Sequence, residues 1–192
     1  MDKIQSVLSL FYLDSELFVT RIFNLLDKIY FQQVQKKSIP PSQSREKVAL
    51  VYCILRVLNE EGAPRPMEFI ANACLLPPSQ RKRVLKMERE LRLEGKMEFI
   101  DAAPGDFVSS ICAHLNISFS VSQQAELVLS RDCVRWGLYG HKPHYLAVAA
   151  IARVMQSRNM TDRVNELCEV VGCLRTTIQH IMSKIPVHIC ME

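Results

Sequence analysis

Histidine, cysteine and carboxylate side chains are the groups with which proteins move protons, attack carbon and hold metals. In this 192-residue chain their spacing leads to none of that chemistry. His141, His144, His180 and His188 have no serine or cysteine partner at a recognisable spacing, and they read as surface or capping residues. Asp106, Asp132 and Glu166 fall where helices need caps and solvated faces, and no glycine-rich phosphate loop occurs. Cys53, Cys74, Cys112, Cys133, Cys168, Cys173 and Cys190 are odd in number, include no Cys-x-x-Cys pair and mostly sit inside apolar helical patterns. Buried reduced thiols in a reducing compartment are therefore expected, not disulfides or a zinc centre. Trp136 and the methionines at helical spacing read as core. The expectation is a protein that is not an enzyme, with no catalytic residues, no metal and no cofactor.

What remains is ionic recognition. The net charge is +4, from 24 lysines and arginines against 20 acids. Residues 1–100 hold 16 basic and 12 acidic side chains, whereas 101–192 hold eight of each. The excess gathers at Arg81, Lys82, Arg83, Lys86, Arg89, Arg92 and Lys96, against Glu88, Glu90 and Glu94. The later part of that segment reads as a solvated helix face with i,i+4 pairs. Arg81, Lys82 and Arg83 have fewer acidic neighbours and fit an acidic partner or a phosphate backbone.

The elements that must position these groups are helices, because few segments alternate with period two. Residues 144–156 are apolar on all sides and read as a buried helix. Pro143 suits its first position, whose N–H needs no helical partner. Thr161 can cap the next helix by accepting a backbone N–H, and Gly172 permits a left-handed turn after it. The last helix spans Arg175 to Ile185. Cys168, Gly172 and Ile178 fall where a helix-turn-helix wants a small residue, a turn glycine and a core aliphatic.

Upstream, residues 3–13 read as a short helix with Ile4, Val7, Leu8 and Phe11 inward. Asp14 can cap a helix over 15–35, with Leu17, Phe18, Ile22, Leu25, Leu26 and Ile29 as its stripe. Ser42 or Ser44 follows a proline loop and can cap the apolar helix 46–59. Helices over 66–74, with Phe69, Ile70 and Ala73 inward, and from Pro77 to Leu93, with Val84, Leu85 and Leu91 inward, complete the first half. The second half repeats this order: a short helix at 106–115, a longer one after Ser120 or Ser122, the buried helix, and the final pair. Residues also align. Leu55-Arg56-Val57 matches Ala152-Arg153-Val154 at an offset of 97, and the Arg65 to Phe69 segment matches Arg163 to Leu167 at 98. Such a repeat implies two helical domains in tandem, 1–100 and 101–192, with the helix-turn-helix at 162–185. No apolar run reaches the ~20 residues of a membrane span, and a soluble intracellular protein without membrane contact is expected.

Gly105-Asp106-Phe107-Val108-Ser109-Ser110-Ile111-Cys112 carries a family pattern. So do Gly140 and Pro143 followed by Ala147-Val148-Ala149-Ala150. The pattern continues in Glu166-Leu167, Val170 and Gly172 with Thr177-Ile178. Glu61-Gly62-Ala63-Pro64-Arg65 and Glu68 with Ile70 fit it in the first half. Over residues 8–186 the chain resembles the core of the transcription factor IIB family, with its paired cyclin-type repeats. The implied fold is all-α, two tandem five-helix cyclin-like domains. The implied function is a nuclear general initiation factor, a monomer that bridges TATA-binding protein on promoter DNA to RNA polymerase II. A cyclin-like regulatory subunit that binds a protein kinase shares the helical plan, and the neutral second half favours it mildly.

The resemblance also assigns positions. In family members that read the element upstream of TATA, an apolar residue and an arginine of the last helix meet bases. Here those positions hold Thr176 and Gln179. With Arg175 and Lys184, and with His141 and Lys142 in the loop before the buried helix, they form the implied DNA-binding set. Arg65, Arg81, Lys82, Arg83 and Lys86 form the implied protein-partner set. The family's basic pair at the start of the fifth helix falls on Pro78 and Ser79, and an earlier basic position falls on Asn59. The basic cluster comes a turn later, which suggests a grip rebuilt for a divergent TATA-binding protein or related factor, as in a protist such as a trypanosomatid. The family's N-terminal zinc ribbon and polymerase-engaging linker have no counterpart in this sequence.

Overall fold

Apolar residues recur at helical spacing through most of the chain, and every regular element among the described residues is a helix. The computed structural model describes residues 2–9, 16–37, 43–93, 102–132, 138, 140–160 and 163–186. By contacts these divide into one compact unit of Met1–Glu61 with Phe69–Asp101 and another of Gly62–Glu68 with Ala102–Glu192.

The first unit contains α1 (Asp2–Ser9), α2 (Glu16–Lys37), α3 (Gln43–Glu60), most of α4 (Met67–Ala73) and α5 (Pro78–Leu93). Its core is α3, which packs against α2 and α5. Val48 to Ile54, Val57 and Leu58 are all buried, as the all-round apolar pattern demands. Such burial contributes ~1.5–3 kcal/mol for each large aliphatic side chain. Polar closure comes at the far end of α3, where Arg21 bridges Glu60 at 2.9 Å and also pairs with Glu61. Arg56 meets Glu60 there at 2.6 Å.

The second unit runs through a 3-10 turn (Pro104–Phe107), α6 (Val108–His114), α7 (Phe119–Asp132), α8 (Pro143–Ser157), α9 (Val164–Val171) and α10 (Arg175–Lys184). Its centre is α8, which packs against α6, α7, α9 and α10. Leu146 to Ala152, Val154 and Met155 are buried. Pro143 stands at the first helical position after extended Lys142. Arg153 lies four residues before the end of α8, as Arg56 does in α3, so the sequence repeat is also a repeat of helix register.

Several finer expectations fail at the level of helical phase. In α2 the expected Ile22 and Ile29 are buried, but Leu17 is 64% exposed and Val19 is buried in its place. Leu85 is 45% exposed, while α5 turns Val84, Met87 and Leu91 inward. In both helices a stripe three to four residues apart wins over a neighbouring leucine that lies off its axis. In α4, Phe69, Ile70 and Ala71 are buried whereas Ala73 is half-buried. Ser44 lies inside the first turn of α3. α7 begins at Phe119, where the Ser118 carbonyl accepts the Val121 and Ser122 N–H groups, so neither Ser120 nor Ser122 caps it. Phe11, Asp14, Ser42, Trp136 and Thr161 lie outside the described residues.

The thiols of Cys53, Cys74, Cys112, Cys168 and Cys173 are unbridged. Burial pushes Cys53 well above the ordinary range, and Cys112 up to about 11. Cys133 and Cys190 lie outside the described residues. No helix among the described residues is long and apolar enough to cross a membrane.

Candidate nucleic-acid interface

The helical pair α9 and α10 is built from a short sequence code. α9 turns Val164, Leu167, Cys168 and Val171 inward. It stops at Gly172, whose φ of 64° and ψ of 39° lie in the left-handed region where an L side chain is disfavoured. The Cys173 N–H then donates to the Cys168 carbonyl at 3.0 Å, the six-to-one closure that satisfies a terminal helical carbonyl. Leu174 is extended, and α10 starts at Arg175. Ile178, Ile181 and Met182 seat α10 in the core. Cys168, Gly172 and Ile178 thus occupy the buried, turning and core roles that their spacing suggested.

Other residues hold the pair in place. Arg163 at the start of α9 donates to the Leu115 carbonyl at 2.6 Å and to Glu166 at 2.8 Å. Arg153 of α8 donates through Nε to the Ile185 carbonyl at 2.9 Å, which fixes the end of α10. Glu68 lies over the turn: a Cβ added at Gly172 would sit 2.6 Å from its Cγ. Neither the Glu68 contact nor the Arg153 anchor follows from local spacing. The one available signal for Arg153 was a charge inside an otherwise apolar run.

Arg175, Thr176, Gln179, His180 and Ser183 form the exposed side of α10, and Lys184 is half-buried in its last turn. The helix carries no carboxylate. Arg175 donates through Nη1 to Asn165 Oδ1 at 2.9 Å, a neutral partner that leaves its charge uncancelled. The loop ahead of α8 reaches the same helix, because the His141 and His180 rings lie 6.4 Å apart, edge to face. The family pattern assigns His180 no DNA contact, so its place beside His141 comes from the structure alone. Lys142 instead turns toward its own helix, with Nζ 5.2 Å above the Tyr145 ring. Of the DNA-facing set, the structure therefore brings His141 to α10 and turns Lys142 to Tyr145.

Beneath this loop His144 packs edge-on to Phe107 at 5.7 Å and Tyr145 at 4.7 Å. Burial, reinforced by Lys142, pushes its imidazole down to about 4, so the ring is neutral near pH 7. The arrangement offers charge, amide and hydroxyl groups on an exposed helix, the kinds of group that contact anionic backbones without any proton transfer.

The implied protein-partner residues are placed less uniformly. Arg65 folds onto its own loop, donating to the Ala63 carbonyl at 3.2 Å and the Pro64 carbonyl at 3.1 Å. Arg81 donates to Asn72 Oδ1 at 2.6 Å, which ties α5 to α4. Lys86 faces Glu90 at 3.7 Å as an exposed i,i+4 pair, worth only ~0.3–0.5 kcal/mol. Lys82 and Arg83 are exposed on the same first turns of α5. No protein-family model matches the chain, and no curated protein matches it.

Proposed function

We propose that the chain is a divergent transcription factor IIB core: a non-catalytic nuclear bridge between a TATA-binding protein on promoter DNA and RNA polymerase II. The observation that carries this reading is the turn at Gly172, which presents an acid-free α10 with Arg175, Thr176 and Gln179 outward. Among the described residues two five-helix series, each with its third helix buried, support paired cyclin-like repeats. Arg175 and Lys184 hold phosphates, and Gln179, standing where guanine-reading relatives carry arginine, leaves the docking largely indifferent to sequence. The test is whether purified protein retards a preformed complex of TATA-binding protein and promoter DNA in a gel.

A cyclin-like kinase regulator is the second reading. It gains support from the charge balance of residues 101–192, where eight basic side chains stand against eight acidic ones. Capture of an active protein kinase on the immobilised protein, with no retardation of the promoter complex, would favour it.

A further inference from the structure

A groove of about 340 Å³ runs along α10 on the flank away from His141. Arg153 and Gln156 of α8, Val164 of α9, and Arg175, Gln179, Met182 and Ser183 of α10 line it. Its volume lies at the small end of ligand sites, about 300–1,000 Å³, and suits a few side chains of an extended segment. Val164 and Met182, both nearly buried, supply an apolar floor. Two guanidiniums flank that floor, and among the described residues no carboxylate lines the groove.

Each guanidinium is oriented by neutral acceptors. Arg153 donates through Nε to the Ile185 carbonyl and through Nη1 to Gln156 Oε1 at 2.7 Å. Arg175 donates to Asn165 Oδ1. No ion pair to either is present among the described residues. An arginine held by neutral partners keeps its full charge and further N–H donors for a carboxylate, which it can grip through two parallel hydrogen bonds. A phosphate backbone would use the arginines and leave the apolar floor uncovered, whereas an acidic peptide with an aliphatic or aromatic residue would use both.

We infer that this groove is a docking site for an acidic peptide segment of a partner protein, with carboxylates on Arg153 and Arg175 and an apolar side chain on Val164 and Met182. The site stands whether or not α10 meets DNA. Only its consequence rests on the proposed function: Arg175 and Gln179 serve both surfaces, so peptide and DNA would compete.

The experiment measures fluorescence anisotropy of a labelled Asp-Glu-Leu-Asp-Asp-Phe-Glu peptide against the full chain, without DNA. The expected result is saturable binding that weakens as salt rises from 50 to 200 mM. Arg153→Gln is expected to weaken it at least tenfold. Because Arg153 also anchors Ile185, the decisive variant is Gln156→Glu. It places a carboxylate beside Arg153 on an exposed position and should weaken binding at least tenfold without lowering the melting temperature. Lys28→Glu, a larger shift of charge in the same direction on α2, should bind like the parent. Equal binding by parent and Gln156→Glu would overturn the proposal. Equal binding of a peptide with Leu and Phe replaced by Ser would overturn it too. So would failure of the peptide to bind while Gln156→Glu weakens binding of a 20-base-pair duplex, which would assign the groove to phosphate.

Discussion

Replacing Gly172 by alanine perturbs the candidate interface at its hinge. The φ of 64° puts residue 172 in the left-handed region, which costs a side chain with a Cβ ~1–2 kcal/mol. The added Cβ would also sit 2.6 Å from Glu68 Cγ. Glu68 is half-buried and can rotate aside, so this second cost is the smaller one and consists mainly of lost packing. A loss of ~1–2 kcal/mol in a unit of this size lowers the melting temperature by roughly 5–15 °C. Thermal unfolding followed by circular dichroism measures it. Gly172→Asn keeps a Cβ but tolerates the left-handed region better, and should melt between Gly172→Ala and the parent. Adding Glu68→Ala to Gly172→Ala should recover less than half of the loss, because it relieves the contact and leaves the backbone strain. If Gly172→Ala melts within a degree of the parent, the turn between α9 and α10 does not have this geometry, and the presentation of α10 falls with it.

Other perturbations address the core, the loop and the readout. Ala150→Asp places an unpaired carboxylate at a fully buried position of α8, costs several kcal/mol and should unfold the second unit; a parental melt would show that α8 is not its centre. His144 has its folded pKa lowered from 6.5 to about 4, so between those values the unfolded chain binds more protons. Its contribution is fully present above pH 6.5 and is lost as pH falls through 4, at most about 3 kcal/mol. His144→Phe should therefore flatten the decline in melting temperature between pH 7 and pH 4.5, and parallel curves for parent and variant would refute this. Gln179→Arg should create a guanine preference at one fixed distance from TATA in a selection over randomised flanks, worth ~1–3 kcal/mol; a strong upstream preference in the parent protein would contradict the reading.

The helices were legible because apolar period and turn chemistry are local. Pro143 announces α8, Gly172 announces the end of α9, and the run from Tyr145 to Met155, apolar but for Arg153, reads as a buried helix. Phase was harder. Leu85 sits beside buried Val84 and Leu17 two residues from buried Val19, and composition alone does not say which of two nearby apolar residues faces in. The state of single arginines was not legible, because their acceptors are distant in sequence. Arg153 reaches Ile185, Arg163 reaches Leu115, and Arg81 reaches Asn72. The groove beside α10 escaped for the same reason, since three helices contribute its walls. The approach of His141 to His180 joins residues 39 apart, and only the folding of α10 beside the loop ahead of α8 brings them together.

Assembly on promoter DNA tests the central claim most directly. A preformed complex of TATA-binding protein and a TATA duplex is titrated with the parent protein and with Arg175→Gln, at salt concentrations from 50 to 200 mM, and followed by gel retardation. The account predicts a discrete slower band for the parent. It also predicts that log affinity falls linearly with log salt, and that the slope for Arg175→Gln is shallower by about one for the lost phosphate contact. No slower band at any salt would contradict the account, and so would a slower band whose salt slope is the same for Arg175→Gln as for the parent.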